Sequence, residues 1–299
     1  MVLFSLLTFI KGLTPLNTFL SVDILGISVN LLVIGSSIAF IAYMLATVAI
    51  VSRLFHAKGP NSQLVLSLAF FAIIVHGMTD AQLFFSSGIE DKQDFINFNL
   101  PNVISLVSLV ITLTVTLIAL RFKVNLLLPV IYAFTGLWQL FIIFIPPIAS
   151  IPLVVGKVIL LSHIGSALIA YCILIIATLY AFQVTYINLK LKTKNLSGVA
   201  HLPPLMQVEK QLFSILSLGI ITLLFSQLIG FIFLDTYFAR ENAHKTVLSL
   251  MAFTLYSIIL LGHFIKGWRG HRVLLLMVSA STLLTLAYFG SRFVREFIL

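Results

Sequence analysis

The chain has 299 residues, 60% hydrophobic and only 9% charged, with a mean hydropathy of +1.15. A soluble domain carries about 25% charged residues, so this composition excludes one and indicates an all-α polytopic integral membrane protein. The formal charge of +9 does not argue for nucleic acid, because the basic residues sit in short breaks between apolar runs. The single cysteine, Cys172, excludes an intrachain disulfide framework, an iron–sulfur centre and a CxxC thiol pair.

Residues 1–30 are apolar but interrupted by Lys11 and Pro15. They read as an interfacial or re-entrant N-terminal segment, with a ninth span as the alternative. Runs of about 20 apolar residues then mark spanning helices. Eight follow, at 31–53, 64–86, 102–120, 125–146, 157–187, 212–234, 246–265 and 272–291, which makes residues 31–299 one transmembrane domain. The fifth run is long enough to extend past the bilayer on the cytoplasmic side. Pro146-Pro147 and Pro152 read as a rigid outer turn, and "HLPPL" at 201–205 as a stiff break in a cytoplasmic loop.

Orientation follows from the loops. Arg53, Lys58, Arg121, Lys123, Lys190, Lys192, Lys194, Lys210, Lys266, Arg269 and Arg272 fall in one set. The alternate set holds only Lys92, Lys157, Arg240 and Lys245, together with five acids. The basic set is cytoplasmic by the positive-inside rule.

Of the seven histidines, His56, His201, His244 and His271 lie in or beside polar connections and read as solvated. His76, His163 and His263 lie inside predicted spans, where ionisable residues mark functional sites unless they only tie helices together. At a rise of about 1.5 Å per residue, His163 lies roughly 9 Å and His76 roughly 15 Å below the outer ends of their helices. The two are therefore candidates to flank one cofactor. His263 lies within a turn of the cytoplasmic end. Asp80, at i+4 from His76, is a candidate ligand or orienter of that imidazole. Zinc and copper sites usually add Cys, Asp or Glu, whereas haem needs only one or two axial histidines and an apolar slot. The small residues Ser162, Ser166 and Ala170 beside His163 suit either a porphyrin face or a neighbouring helix. Neither a nucleophile–base constellation nor a phosphate-binding glycine loop is evident, which argues against an enzyme.

The segment "HFIKGWRGHRVLLLMVSASTLLTLAYFGSRF" resembles the end of the cytochrome c assembly family (CcsA-like) of haem-handling membrane proteins. There a histidine closes a helix before a GWRG turn and a last helix with a Tyr/Phe-Gly element; His263, Gly267, Trp268, Arg269, Gly270, Tyr288 and Gly290 match. "SHIGSALIAYCILIIATLYAFQ" is similar to the family helix with a haem-associated histidine, matched by His163 and Tyr171. "LPPLMQVEKQLFSILSLGIITLLFSQLIGFIF" is similar to the next loop and helix, with Pro204, Leu205 and Glu209 as markers. The likeness spans residues 30 to 299 and is nearest the short eight-span branch of YpjD/HemX type. Larger members carry a tryptophan-rich external loop; here "DTYFARENAHKTV" stands in that place.

The resemblance implies a haem-binding protein of the bacterial plasma (inner) membrane, involved in cytochrome c assembly. Haem b would be held non-covalently by His163, His263 and His76 as candidate iron ligands, with Trp268, Arg269 and Tyr171 around them. Gly267 and Gly270 permit a tight turn, Trp268 suits the headgroup zone, and Arg269 suits a propionate or a lipid phosphate. The partners implied are membrane lipids, haem and other cytochrome c maturation or membrane proteins. Two other classes fit the sequence: a regulatory or scaffold protein for a membrane partner, and a small-solute or metal transporter. The topology is tested by cysteines introduced at Ser197 and Asn97 and probed with an impermeant thiol reagent on spheroplasts. Labelling at Asn97 alone is the expected result; labelling at Ser197 alone reverses the orientation.

Overall fold

A bilayer core offers no water to backbone polar groups, so each apolar run must satisfy its own N–H and C=O groups by coiling into a helix. The structure is a computed structural model that describes residues 21–24, 27–53, 62–85, 95–122, 126–145, 152–154, 158–193, 203–234, 237–239, 243–290 and 292–294. Most of the N-terminal segment, His56, His201 and Pro146-Pro147 lie outside these residues. Eight helices follow in order: α1 (Leu31–Val51), α2 (Ser62–Phe85), α3 (Leu100–Ala119), α4 (Leu128–Phe144), α5 (Val158–Lys192), α6 (Leu205–Phe233), α7 (Ala243–Lys266) and α8 (His271–Thr285). Seven of these stretches are long and apolar enough to cross a membrane, and α4 is shorter. At 17 residues it spans about 26 Å, slightly less than a hydrocarbon core of about 30 Å.

The predicted boundaries shift where the local chemistry dictates. Helix α6 begins seven residues before the predicted start, because Pro204 serves as its N-cap and Val208, Glu209 and Leu212 turn inward. Pro129 fixes the start of α4. Helix α8 continues as one π-turn, Leu286–Gly290. The outer loops also hold an element the sequence reading did not contain. β3 (Phe95–Asn97) pairs antiparallel with β4 (Pro152–Val154), joining the α2–α3 and α4–α5 connections. Pro152 thus opens an edge strand rather than a turn, a place where its missing N–H costs nothing. Before α1, β1 (Ser21–Ile24) pairs with β2 (Ile27–Asn30).

The helices pack as two groups of four. Helix α1 contacts α2 and α4, and α3 closes that group against both. Helix α5 contacts α6 and α8, and α7 closes the second group; α3 meets α5 where the groups join. Tyr43, Tyr132, Tyr180 and Tyr256 are fully buried among aliphatic side chains, while Phe71, Met78, Phe134, Phe225 and Phe231 face outward, as lipid-solvated surfaces do.

Close packing of α5 on α6 depends on Gly219, where an added Cβ would stand 2.7 Å from Leu174 Cδ2 and 2.8 Å from its Cγ. Gly219→Val is expected to cost about 1–3 kcal/mol through overpacking. An unchanged thermal transition in detergent would contradict so close an approach.

Candidate functional site

His163 stands one and a half turns into α5, with its ring turned onto α6. Its Nδ1 lies 2.9 Å from the Ser226 carbonyl oxygen. A carbonyl only accepts, so Nδ1 carries the hydrogen and donates it, and Nε2 keeps its lone pair. Ser226 Oγ returns a hydrogen bond to the His163 carbonyl at 3.0 Å, which ties the two helices in both directions. The contact is possible because residue 230 is glycine: a Cβ there would fall 2.5 Å from the Tyr237 ring and 2.8 Å from His163 Cε1.

Tyr237 sits edge-on to the His163 ring, with centroids 6.0 Å apart. Its carbonyl accepts from Thr246 Oγ1 at 2.7 Å, and burial pushes its phenol above the ordinary range. Tyr237 belongs to the loop that lacks tryptophan, so tyrosine supplies the aromatic cover there. One helical turn before Gly230, Gln227 Nε2 donates to the carbonyl and the hydroxyl of Ser249 on α7, both at 3.2 Å.

Between these helix ends lies a cavity of about 280 Å³, lined by His163, Tyr237, Lys245, Tyr288, Phe289 and Arg292 among others. Every helix bordering it contributes its outer end, as the loop charges orient the chain. The π-turn of α8 brings Tyr288 and Phe289 to the wall. Behind them Tyr171 packs against both rings, at 5.7 and 5.3 Å, and its hydroxyl meets Thr285 Oγ1 at 3.1 Å. Tyr171 therefore supports the wall rather than forming it. Arg292 Nη1 donates to the Phe98 carbonyl at 2.8 Å, and its guanidinium lies 4.9 Å above the Phe98 ring. Ser162 and Ser166 bond back to carbonyls of their own helix.

His263 occupies the opposite face of the membrane. Its ring stacks on Phe213 at 3.4 Å and 12°, and its Nδ1 donates to the Trp268 carbonyl at 3.2 Å. Gly267 and Gly270 have φ of +63° and +66°, which glycine alone adopts without cost. The Trp268 amide donates to the Gly262 carbonyl at 3.2 Å, and its indole covers that glycine. Arg269 Nε lies 3.1 Å from Glu209 Oε1, with the arginine exposed and the glutamate buried. The gap bounded by Phe213, Glu209 and Arg269 is too narrow to admit a ligand.

His76 lies in neither place. It is fully buried between α1 and α3, with Nδ1 3.3 Å from Tyr43 Oη and Nε2 3.0 Å from Ser105 Oγ. The three intramembrane histidines thus occupy three separate sites, and His76 does not line the His163 cavity. His244 and His271 are exposed at the first turns of α7 and α8. Gln227, Phe289 and Arg292 were not singled out by the sequence. Only their positions on the same helix ends as His163 and Tyr288 pointed to them.

Residues 69–299 match the family described as "Cytochrome C assembly protein". The chain is 36% identical over 264 residues to the inner membrane protein YpjD of Escherichia coli K12, covering 87% of this chain and 97% of that protein. YpjD of Escherichia coli O157:H7 matches to the same extent. An uncharacterised 28.8 kDa protein of Azospirillum brasilense is 29% identical over 140 residues, 46% of this chain and 52% of its own length. No solved structure matches the chain.

Proposed function

Because the chain belongs to the cytochrome c assembly protein family, we propose that it is a bacterial inner-membrane protein that binds b-type haem non-covalently in the outer cavity. The observation that carries this reading is the His163 tautomer. The Ser226 carbonyl fixes the hydrogen on Nδ1, which leaves the Nε2 lone pair uncommitted on a histidine that lines a cavity walled by aromatic rings. Metal-ligating histidines are commonly oriented in this way.

The donor set suits haem better than a free metal ion. Among the described residues no three His, Cys, Asp or Glu side chains gather as a metal site, whereas haem brings four of its own nitrogens and asks for one or two axial ligands. Tyr288 and Phe289 offer flat apolar contacts, while Lys245 and Arg292 place positive charge at the rim for propionates. The cavity's 280 Å³ lies near the lower end of ligand pockets, about 300–1,000 Å³. A macrocycle would need an edge outside the cavity or Tyr237 displaced. The chain's one cysteine rules out CxxCH attachment to itself.

When bound, haem would supply the redox chemistry. His163 would hold the iron, the Ser226 carbonyl would keep that imidazole neutral and oriented, and Tyr237 would exclude water. His263, Trp268 and Arg269 form a separate cytoplasmic-side element, tied up by Phe213 and Glu209, and would not hold haem in this arrangement. Haem supplied to the purified protein is expected to give a Soret band and a b-type pyridine haemochrome. His163→Ala and Gly230→Val should both lose the signal, the second by displacing the imidazole while leaving it present; His244→Ala should keep it. No Soret band in the wild type, or loss in His244→Ala with retention in His163→Ala, would overturn the assignment.

A further inference from the structure

One polar side chain of the outer cavity has no part in holding iron. Gln227 on α6 is 7% exposed and lines the cavity. Its Nε2 lies 3.2 Å from both the carbonyl oxygen and the hydroxyl of Ser249 on α7. A carbonyl oxygen only accepts, so the amide atom facing Ser249 is the nitrogen, and turning the amide over would set oxygen against oxygen. That leaves Oε1 uncommitted among the described residues, on a side chain that lines the cavity. An amide oxygen accepts hydrogen bonds and cannot give one. Removed from water, it is costly unless a donor meets it.

The walls of the cavity are sorted by polarity. On the α6–α7 side Lys245 stands in the first turn of α7. Ser249 follows four residues later, about 6 Å deeper. The polar groups of this wall thus run inward from a cation to the Ser249–Gln227 pair. On the α3–α5 side Val103, Leu160, Ile164 and Leu168 are all aliphatic. An amphiphile held here would set its polar edge on α6 and α7 and its apolar edge on α3 and α5. Two polar groups on that edge, one helical turn apart, would meet different chemistry: the outer one a cation, the inner one an acceptor.

Lys245 apart, the charged and titratable side chains lining the cavity are His163 on α5, Tyr237 before α7, Tyr288 in the π-turn and Arg292. Helix α3 contributes none. His163 Nδ1 is given to the Ser226 carbonyl. The Arg292 guanidinium is engaged at the Phe98 carbonyl and ring, on the α3 side.

We propose that Gln227 is the specificity-determining residue for the polar edge of the ligand: its Oε1 accepts a hydrogen bond from an un-ionised carboxylic acid, while Lys245 pairs with an ionised one. The assignment rests on the haem reading, because haem b carries two carboxyl arms on one edge. A carboxylate beside Gln227 would set acceptor against acceptor, so the inner arm binds in its acid form. That arrangement also leaves the α6–α7 wall a single negative charge to balance, and an uncompensated charge within a membrane is strongly disfavoured.

Binding titrations of the purified full-length protein compare haem b with its dimethyl ester, which keeps the ring and the iron but has no acid hydrogen. Gln227→Leu is expected to weaken haem b roughly two- to tenfold, the range of one hydrogen bond, and to leave the ester unchanged. Equal weakening of both, or no weakening of haem b, would overturn the proposal. Infrared spectra of the wild type with haem b carrying carbon-13 at both carboxyls need no variant. One un-ionised C=O band that shifts in D2O and one carboxylate band are expected. Two carboxylate bands would overturn the proposal even if Gln227→Leu does not fold. A wild type that gives no Soret band with haem b would instead sink the haem reading on which the assignment rests.

Discussion

The outer end of the second helix group depends on one reciprocal contact, in which the Ser226 carbonyl accepts from His163 Nδ1 while the Ser226 hydroxyl donates to the His163 carbonyl. In a bilayer the alternative to such pairing is a polar group with no partner at all, which costs far more than it does at a water-exposed surface. The contact sets the distance between α5 and α6, the tautomer of the imidazole and the direction of its free lone pair. Gly230 is the steric condition for it, since any side chain there would enter the space of His163 and Tyr237. The cavity exists because α7, α8 and Tyr237 close around this fixed pair without filling the room beside the His163 side chain.

Polar groups are handled differently in the two helix groups. In the first, buried polar side chains meet one another between helices: Thr112 and Thr135 at 2.7 Å, Thr116 and Tyr132 at 2.9 Å, Ser105 with three partners. Four buried polar atoms in that group have no hydrogen-bond partner among the described residues: Ser36 Oγ, Asp80 Oδ2, Trp138 Nε1 and Gln139 Oε1. In the second, polar groups gather at the two membrane faces. The outer one borders a cavity of about 280 Å³, and the inner one, around His263 and the GWRG turn, has no comparable space. The outer cavity and the buried polar cluster around Ser105 thus lie in different helix groups, which meet where α3 packs on α5.

Much of this was legible in the sequence. Eight apolar runs gave eight helices, since twenty-residue hydropathy reports a requirement of the solvent rather than of any tertiary partner. The turn at Gly267–Gly270 was legible because two glycines bracketing Trp268 leave few backbone alternatives, and both have positive φ. The extension of α6 back to Leu205 was obscured because Glu209 and Lys210 look like loop charges. Glu209 is instead buried against Arg269. The placing of His76 was obscured for a related reason. Depth along a helix follows from the 1.5 Å rise, but which neighbour a helix faces does not. His76 and His163 both fall in the outer half of the predicted bilayer, yet lie in different helix groups. The strand pair of Phe95–Asn97 with Pro152–Val154 is equally a matter of which loops meet above the bundle.

The most direct test of the central claim is chemical rescue of the proposed iron ligand. His163→Gly removes the imidazole and leaves room for a free one in the same cavity. Imidazole added with haem should restore the wild-type Soret maximum in this variant, with saturation at one equivalent of site, and should do nothing comparable in His76→Gly. A His163→Gly protein that binds haem with the wild-type spectrum in the absence of imidazole would contradict the account.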